Sequence, residues 1–189
     1  MTATETHTLE QIEEAQASLE RVDGWINSCD AKAGILFAVI GVLLTIMFTG
    51  DGVKALYNLA TKIFPPKSFC TILYIIFLVL SIITLGYGFW ELICTLTANT
   101  DIHNRSENML ETNSLIFFGS ISSRNAYQTF HDEFTTCDKE AYLNDLLSQL
   151  YINSKIADKK YKKYNIGLKC SIGGFFSFIV IFLIGLYLY

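Results

Sequence analysis

Residues 68–90 read SFCTILYIIFLVLSIITLGYGFW, and none of these 23 side chains carries a charge. A bilayer core of roughly 30 Å is crossed by about 20 helical residues that rise about 1.5 Å each. Two more uncharged stretches have a comparable length, the 17 residues 33–49 and the 20 residues 170–189. The sequence therefore predicts an all-α membrane protein with three transmembrane helices and a small helical module outside the bilayer.

The composition agrees with this class of protein. The chain is 51% hydrophobic, and its mean hydropathy is +0.36. Residues 1–30 hold seven acidic side chains and one Arg, which is not the composition of a signal peptide. Residues 153–169 hold six Lys and one Asp, so the two polar segments carry opposite charge.

Two amphipathic stripes precede the first and third spans. Spacings of three and four residues put apolar side chains on one helix face from about Leu9 and again from about Lys139, and each helix is expected to continue into its span. A single helix cannot bury such a stripe, so the two helices are expected to pack on each other or in a homo-oligomer. The stripes are Ile12, Ala15, Leu19, Val22 and Ile26, and Leu143, Leu147, Leu150, Ser154, Ala157, Tyr161 and Tyr164.

The segments between the spans follow from composition. We predict an amphipathic helix over 1–32, spans over 33–49, 68–90 and 170–189, a loop over 50–67 that contains Pro65 and Pro66, and a helical module over 91–169. The apolar run 114–121 is too short to span, and it fits a buried short strand or turn, or a re-entrant piece. Gly34 and Gly41 are possible helix contacts, while Gly167, Gly173 and Gly174 are weak points of the last helix.

Basic residues close to the spans predict the orientation. The side that holds the N-terminus and residues 91–169 has nine of them, and the other side has three. This count places the N-terminus and the 91–169 module in the cytoplasm, the loop 50–67 in the periplasm, and Tyr189 at the outer face. The nine are Arg21, Lys32, Arg105, Lys155, Lys159, Lys160, Lys162, Lys163 and Lys169, and the three are Lys54, Lys62 and Lys67.

The chain carries no pattern typical of an enzyme. Its three His residues are isolated, and neither a nucleophile elbow nor a Gly-rich phosphate loop occurs. Residues 131–133, His-Asp-Glu, fit a solvated turn better than a metal site, because three consecutive helical residues do not face one point. We expect no catalytic residue, metal, cofactor or nucleic-acid partner, and we interpret the five single Cys residues as reduced, small apolar side chains.

The basic cluster before the third span has two interpretations. Lys159, Lys160, Lys162 and Lys163 fit a topogenic role, in which they attract anionic lipid headgroups. They also fit a phosphate site of a nucleotide, assembled with Arg105 or Arg124. A separate interfacial ion pair is plausible between Lys32 and Glu91, which lie at matching depths of the first two spans. Independent snorkelling of these two side chains is equally consistent with the sequence.

Several stretches resemble one family, the transmembrane effectors of bacterial Pycsar antiphage systems. The clearest is WINSCDAKAG over residues 25–34, in which Asp-Ala-Lys-Ala-Gly leads into a membrane helix. The resemblance extends over residues 15–189. Its other stretches are FFGSI (117–121), AYLNDLLSQL (141–150), SKIA (154–157) and KKY (159–161).

This resemblance implies an inner-membrane effector encoded beside a pyrimidine cyclase. The cyclase would make cyclic CMP or cyclic UMP on infection, and the effector would respond by impairing the membrane and killing the cell. The family supplies no catalytic residue. Nothing in the chain resembles a β-rich cyclic-nucleotide-binding domain, so the helical module would have to sense the nucleotide. Two alternatives are a passive anchor for a soluble partner and a small channel or transporter subunit, although none of the three spans contains an ionisable Asp, Glu, Lys, Arg or His.

Overall fold

A computed structural model describes residues 3–64, 68–97 and 113–189 of the chain. These residues form helices and no strand, which confirms the predicted all-α class. Three of the helices, α1, α3 and α6, are long and apolar enough to cross a membrane. The six helices are α1 (Ala3–Met47), α2 (Asp51–Ile63), α3 (Phe69–Leu96), α4 (Phe118–Ser122), α5 (Tyr127–Thr136) and α6 (Lys139–Leu188).

The chain divides into two compact units. We call Cys29–Thr97 with Lys160–Tyr189 the membrane unit, because the three uncharged stretches lie in it. We call Met1–Ser28 with Ala98–Lys159 the polar unit. The long helices α1 and α6 contribute residues to both, as the two continuous amphipathic stripes predicted.

The membrane unit has an apolar core at the contact of its three long helices. Ile40 of α1, Leu85 of α3 and Phe175 of α6 are buried together. Large apolar side chains on the opposite faces, such as Ile46 and Ile83, are exposed, as expected where a helix faces lipid. Residues that pack around the core are Leu36, Leu44, Met47, Phe89 and Ile179.

The segment predicted as a loop over 50–67 contains the helix α2. Its apolar side chains recur at helical spacing, and Leu59 and Ile63 are buried against Tyr74 of α3. Polar side chains, including Lys54 and Asn58, are exposed. Since α2 is an amphipathic helix of 13 residues, it fits a position at a membrane surface rather than a span.

The polar unit is built on the contact of the first part of α1 with the first part of α6. Ile12 and Ala15 are buried with Leu146, so the N-terminal stripe packs within the same chain. The side-chain amide of Asn153 donates a hydrogen bond of 2.9 Å to the carboxylate of Asp23 at the same contact.

Short elements complete the polar unit. The Ser114 hydroxyl accepts hydrogen bonds from the backbone N–H groups of Ile116 (3.2 Å) and Phe117 (3.0 Å), so the apolar run starts as a turn and continues into α4. Asp138 caps α6, because its carboxylate accepts the backbone N–H of Ala141 at 2.7 Å.

Candidate functional site

A partly buried ion pair and the hydrogen bond beside it connect the three long helices of the membrane unit. The Lys160 ammonium group donates to both carboxylate oxygens of Asp30, at 2.6 and 2.8 Å, and to the backbone carbonyl of Thr95 at 2.8 Å. Asp30 belongs to α1, Thr95 to α3 and Lys160 to α6. We call these three residues the Asp30 latch.

The two charged side chains of the Asp30 latch differ in exposure. The Lys160 side chain is 9% exposed and that of Asp30 is 33% exposed. Cys29, which precedes Asp30 in the sequence, and Leu92, about one helical turn before Thr95, are fully buried. A charge in such a place is tolerated only when partners satisfy it, and all three ammonium protons of Lys160 have an acceptor.

The position of Thr95 in its helix explains why its backbone carbonyl accepts a hydrogen bond from a cationic side chain. The last four carbonyl groups of an α-helix have no partner within the helix, and they carry the negative end of the helix dipole. Thr95 lies in the last turn of α3, which ends at Leu96. Lys160 therefore caps α3 as well as neutralising Asp30.

Burial makes the cysteine next to the Asp30 latch weakly reactive. Burial raises the pKa of the Cys29 thiol most, the adjacent Asp30 carboxylate acts in the same direction, and the ammonium groups of Lys160 and Lys32 oppose them without reversing the shift. A thiol with a raised pKa forms little of the nucleophilic thiolate near neutral pH. This agrees with the interpretation of Cys29 as a small apolar residue.

Small residues bring the backbones of α3 and α6 close together. A methyl group at Gly174 would lie 2.6 Å from the backbone nitrogen of Leu85, and one at Gly88 would lie 2.8 Å from the Cα atom of Ser171. One at Gly167 would lie 2.9 Å from the Leu92 side chain. Close packing at small residues is the usual way in which membrane helices associate, and we call this contact the glycine seam.

Two glycines singled out in the sequence are not part of this contact. Nothing lies within 4 Å of the Cβ position of Gly34 or Gly41 among the described residues. By contrast, Gly167 and Gly174, predicted as weak points of α6, belong to the glycine seam. The spacing of glycines in the sequence therefore does not show which of them lie at a contact between helices.

Arg124 organises the polar unit instead of presenting a free cation. Its guanidinium group donates to the carboxylate of Glu133 at 2.8 Å and to the backbone carbonyls of Ser114, Ser120 and Asn113 at 3.2, 2.7 and 3.2 Å. Its side chain is only 6% exposed. These bonds tie the turn before α4 to helix α5.

The other predicted site residues are dispersed. Lys159 and Lys162 are exposed and Lys163 is half-buried, whereas Lys160 is engaged in the Asp30 latch. Arg105 lies outside the described residues.

The predicted partners Lys32 and Glu91 are not brought together as an ion pair. Lys32 is exposed, and Glu91 forms a side-chain hydrogen bond with Tyr87 of its own helix. The ion pairs of the described residues do not include Lys32 with Glu91.

A family model described as the Pycsar effector protein domain matches residues 14–188. The chain belongs to the Pycsar effector family. A relative from Gulbenkiania mobilis, the Pycsar effector protein GmPycTM, is 30% identical over 181 residues, which cover 89% of this chain and 90% of the relative. No solved structure matches the chain.

Membership of the Pycsar effector family confirms the resemblance found in the sequence and implies a role in antiphage defence. The Asp30 latch and the glycine seam both lie within the matched residues. Asp30 belongs to the DAKAG stretch and Lys160 to the KKY stretch, so two of the resembling stretches meet in space. Their contact could not be predicted from the sequence, since no spacing pattern relates residues 130 positions apart.

Proposed function

We propose that the chain is a Pycsar effector that responds to a cyclic pyrimidine mononucleotide, cyclic CMP or cyclic UMP, by impairing the bacterial inner membrane. The observation that carries the proposal is the match of residues 14–188 to the Pycsar effector domain. Killing of the infected cell would then stop the phage by abortive infection.

The packing of the membrane unit supports a mechanism by rearrangement. The three uncharged spans contain no Asp, Glu, Lys, Arg or His that would line an ion path. Damage to the membrane therefore requires the helices to leave their present packing, and homo-oligomerisation is the route we propose. A nucleotide drives such a shift only if it binds one arrangement more tightly than the other.

The basic cluster is better supported as a topogenic element than as the phosphate site. Lys160 and Arg124 have their donors engaged within the protein, whereas Lys159 and Lys162 are exposed at the surface, where anionic headgroups would lie. We propose that these lysines keep their end of α6 at the cytoplasmic surface.

The proposed orientation gives a topology prediction. A reporter fused after Tyr189 is expected to lie in the periplasm, and one inserted near Cys137 is expected to lie in the cytoplasm. The reason is that segments rich in Lys and Arg stay on the cytoplasmic side of the membrane. Paired alkaline phosphatase and fluorescent protein fusions measure both positions. Periplasmic activity at Cys137 would contradict the orientation and remove the polar unit from any cytoplasmic signal.

The membrane response is the test of the proposed function. Bacteria that express the chain are expected to lose membrane potential and viability when cyclic CMP or cyclic UMP is produced inside them, as measured with a potential-sensitive dye. Production of cyclic AMP is the control and should leave the potential unchanged. A chain that is inserted in the membrane but gives no depolarisation with either pyrimidine nucleotide would be a passive anchor.

A further inference from the structure

The polar unit contains an open cavity of about 320 Å³ at the contact of α1, the end of α5 and the start of α6. The volume lies at the lower end of the range of about 300–1,000 Å³ for small-molecule pockets, so the cavity has room for one small ligand. Its lining consists of Leu9 and Ile12 from α1, Phe134 from α5, Cys137 and Asp138 from the connection, and Lys139 and Tyr142 from α6.

Two aromatic side chains line this cavity and remain accessible. Phe134 is 49% exposed, although its side chain is large and apolar, and its ring packs against the ring of Phe130 at a centroid distance of 5.7 Å. Tyr142 is half-buried, and its hydroxyl accepts a hydrogen bond from the side-chain amide of Gln16 at 3.3 Å. An aromatic ring that neighbouring side chains support and that stays accessible is a platform on which a nucleic-acid base stacks.

A cationic side chain lines the same cavity. Lys139 is exposed, and within the described part of the chain it forms no hydrogen bond or ion pair. Lys160 and Arg124, by contrast, donate to partners within the protein. The Asp138 carboxylate in the lining already accepts the backbone N–H of Ala141. Lys139 is therefore the lining residue that can bind an anion, and a lysine ammonium group binds a phosphate as a point charge.

We propose that this cavity, which we call the Phe134 pocket, binds the cyclic pyrimidine mononucleotide, with the base stacked on the Phe134 ring and the phosphate at the Lys139 ammonium group. The proposal rests on the proposed function and adds a site to it. The lining recognises a planar apolar face and one negative charge, and a cyclic mononucleotide carries both.

The same lining predicts that the Phe134 pocket accepts both pyrimidine nucleotides. Stacking tolerates every base, because each base has a π-face. Cytosine and uracil differ at the edge of the ring and not at its face. Cyclic CMP and cyclic UMP are therefore expected to bind to the same site with similar affinity.

Binding to the full-length protein in lipid nanodiscs tests the Phe134 pocket, with cyclic CMP and cyclic UMP as the titrated probes in calorimetry. Phe134→Ala removes the stacking ring, and we expect the affinity for both nucleotides to fall about 5- to 150-fold. Phe134→Tyr keeps a ring at this position and should retain the wild-type affinity.

A second pair of variants tests the cation. Lys139→Gln removes the charge, and we expect a loss of about 10-fold, at the low end for a charge-assisted contact because the side chain is exposed. Lys139→Arg keeps the charge and should bind like the wild type. Salt screens an exposed charge, so a higher salt concentration should weaken binding to the wild type more than binding to Lys139→Gln.

Two control variants are matched to these changes. Tyr127→Ala removes an aromatic ring that is 76% exposed on the same helix as Phe134 and does not line the cavity. Lys159→Gln removes an exposed lysine of the basic cluster on the same helix as Lys139. Both controls should bind like the wild type. Thermal unfolding of each variant separates loss of the site from loss of the fold.

The outcomes separate the two proposals. If the wild type binds the nucleotides and either Phe134→Ala or Lys139→Gln retains its affinity, the Phe134 pocket is not the site as proposed, and the proposed function stands. If Lys159→Gln loses affinity and Lys139→Gln does not, the phosphate lies at the basic cluster and the pocket is wrong. If the wild type binds neither nucleotide, the proposed function fails and this assignment fails with it.

Discussion

Lys160→Met is expected to be among the most destabilising single substitutions in this protein. The variant leaves Asp30 without its cation and the Thr95 carbonyl without its donor. Breaking a buried pair on one side costs about 3–5 kcal/mol, and the 33% exposure of Asp30 points to the lower end. Thermal unfolding in detergent, followed by circular dichroism, should show a Tm lower by roughly 6–12 °C.

A double variant distinguishes the ion pair from simple loss of packing. Asp30→Leu with Lys160→Met removes both charges, and replacing a buried pair by apolar residues is often neutral or stabilising. We therefore expect the double variant to recover most of the lost stability. Lys159→Met, at the exposed neighbouring position, should change stability by less than about 0.5 kcal/mol. A double variant as unstable as Lys160→Met would indicate that the Thr95 carbonyl, rather than the charge on Asp30, carries the cost.

The long elements of this fold were predictable because their signals are local. An uncharged stretch of about 20 residues crosses a bilayer as an α-helix, because the helix satisfies its own backbone hydrogen bonds. The helical periodicity of each amphipathic stripe then continues into the span that follows it. The start of α6 near Lys139 was likewise marked by the onset of a stripe, and Asp138 caps it. In contrast, α2 was predicted as part of a loop, although Leu56, Leu59 and Ile63 carry a helical pattern.

The residues that meet across the helices were not predictable in the same way. Asp30 and Lys160 form their pair across 130 positions, and a local pattern carries no information on such a contact. Arg124 was predicted as a candidate for a phosphate site, and its actual partners, Glu133 and backbone carbonyls, could not be identified from the sequence because every residue supplies a carbonyl. The burial of Asp145 left no signal in the sequence either, because a buried acidic residue in a helix of mixed polarity is indistinguishable by pattern from a solvated one.

The glycine seam offers a comparison of two neighbouring positions in one helix. Gly173 and Gly174 are adjacent in α6, but nothing described lies within 4 Å of the Cβ position of Gly173. At Gly174 the Cβ position lies 2.6 Å from the backbone nitrogen and 2.8 Å from the Cα atom of Leu85. A backbone cannot rotate away as a flexible side chain does, so a methyl group at Gly174 has to separate α3 from α6.

Gly174→Ala is therefore expected to destabilise the membrane unit by about 1–3 kcal/mol, the cost of overpacking a well-packed contact. Gly173→Ala is expected to be neutral or stabilising by up to about 1 kcal/mol, because Ala favours a helix interior over Gly and meets open space here. Gly88→Ala and Gly86→Ala form the same comparison on α3, since the Cβ position is crowded at Gly88 and open at Gly86. Thermal unfolding in one detergent measures all four variants. Equal Tm values for Gly173→Ala and Gly174→Ala would mean that α3 and α6 do not approach each other at Gly174. A response to nucleotide could not then depend on separating α3 from α6 at the glycine seam.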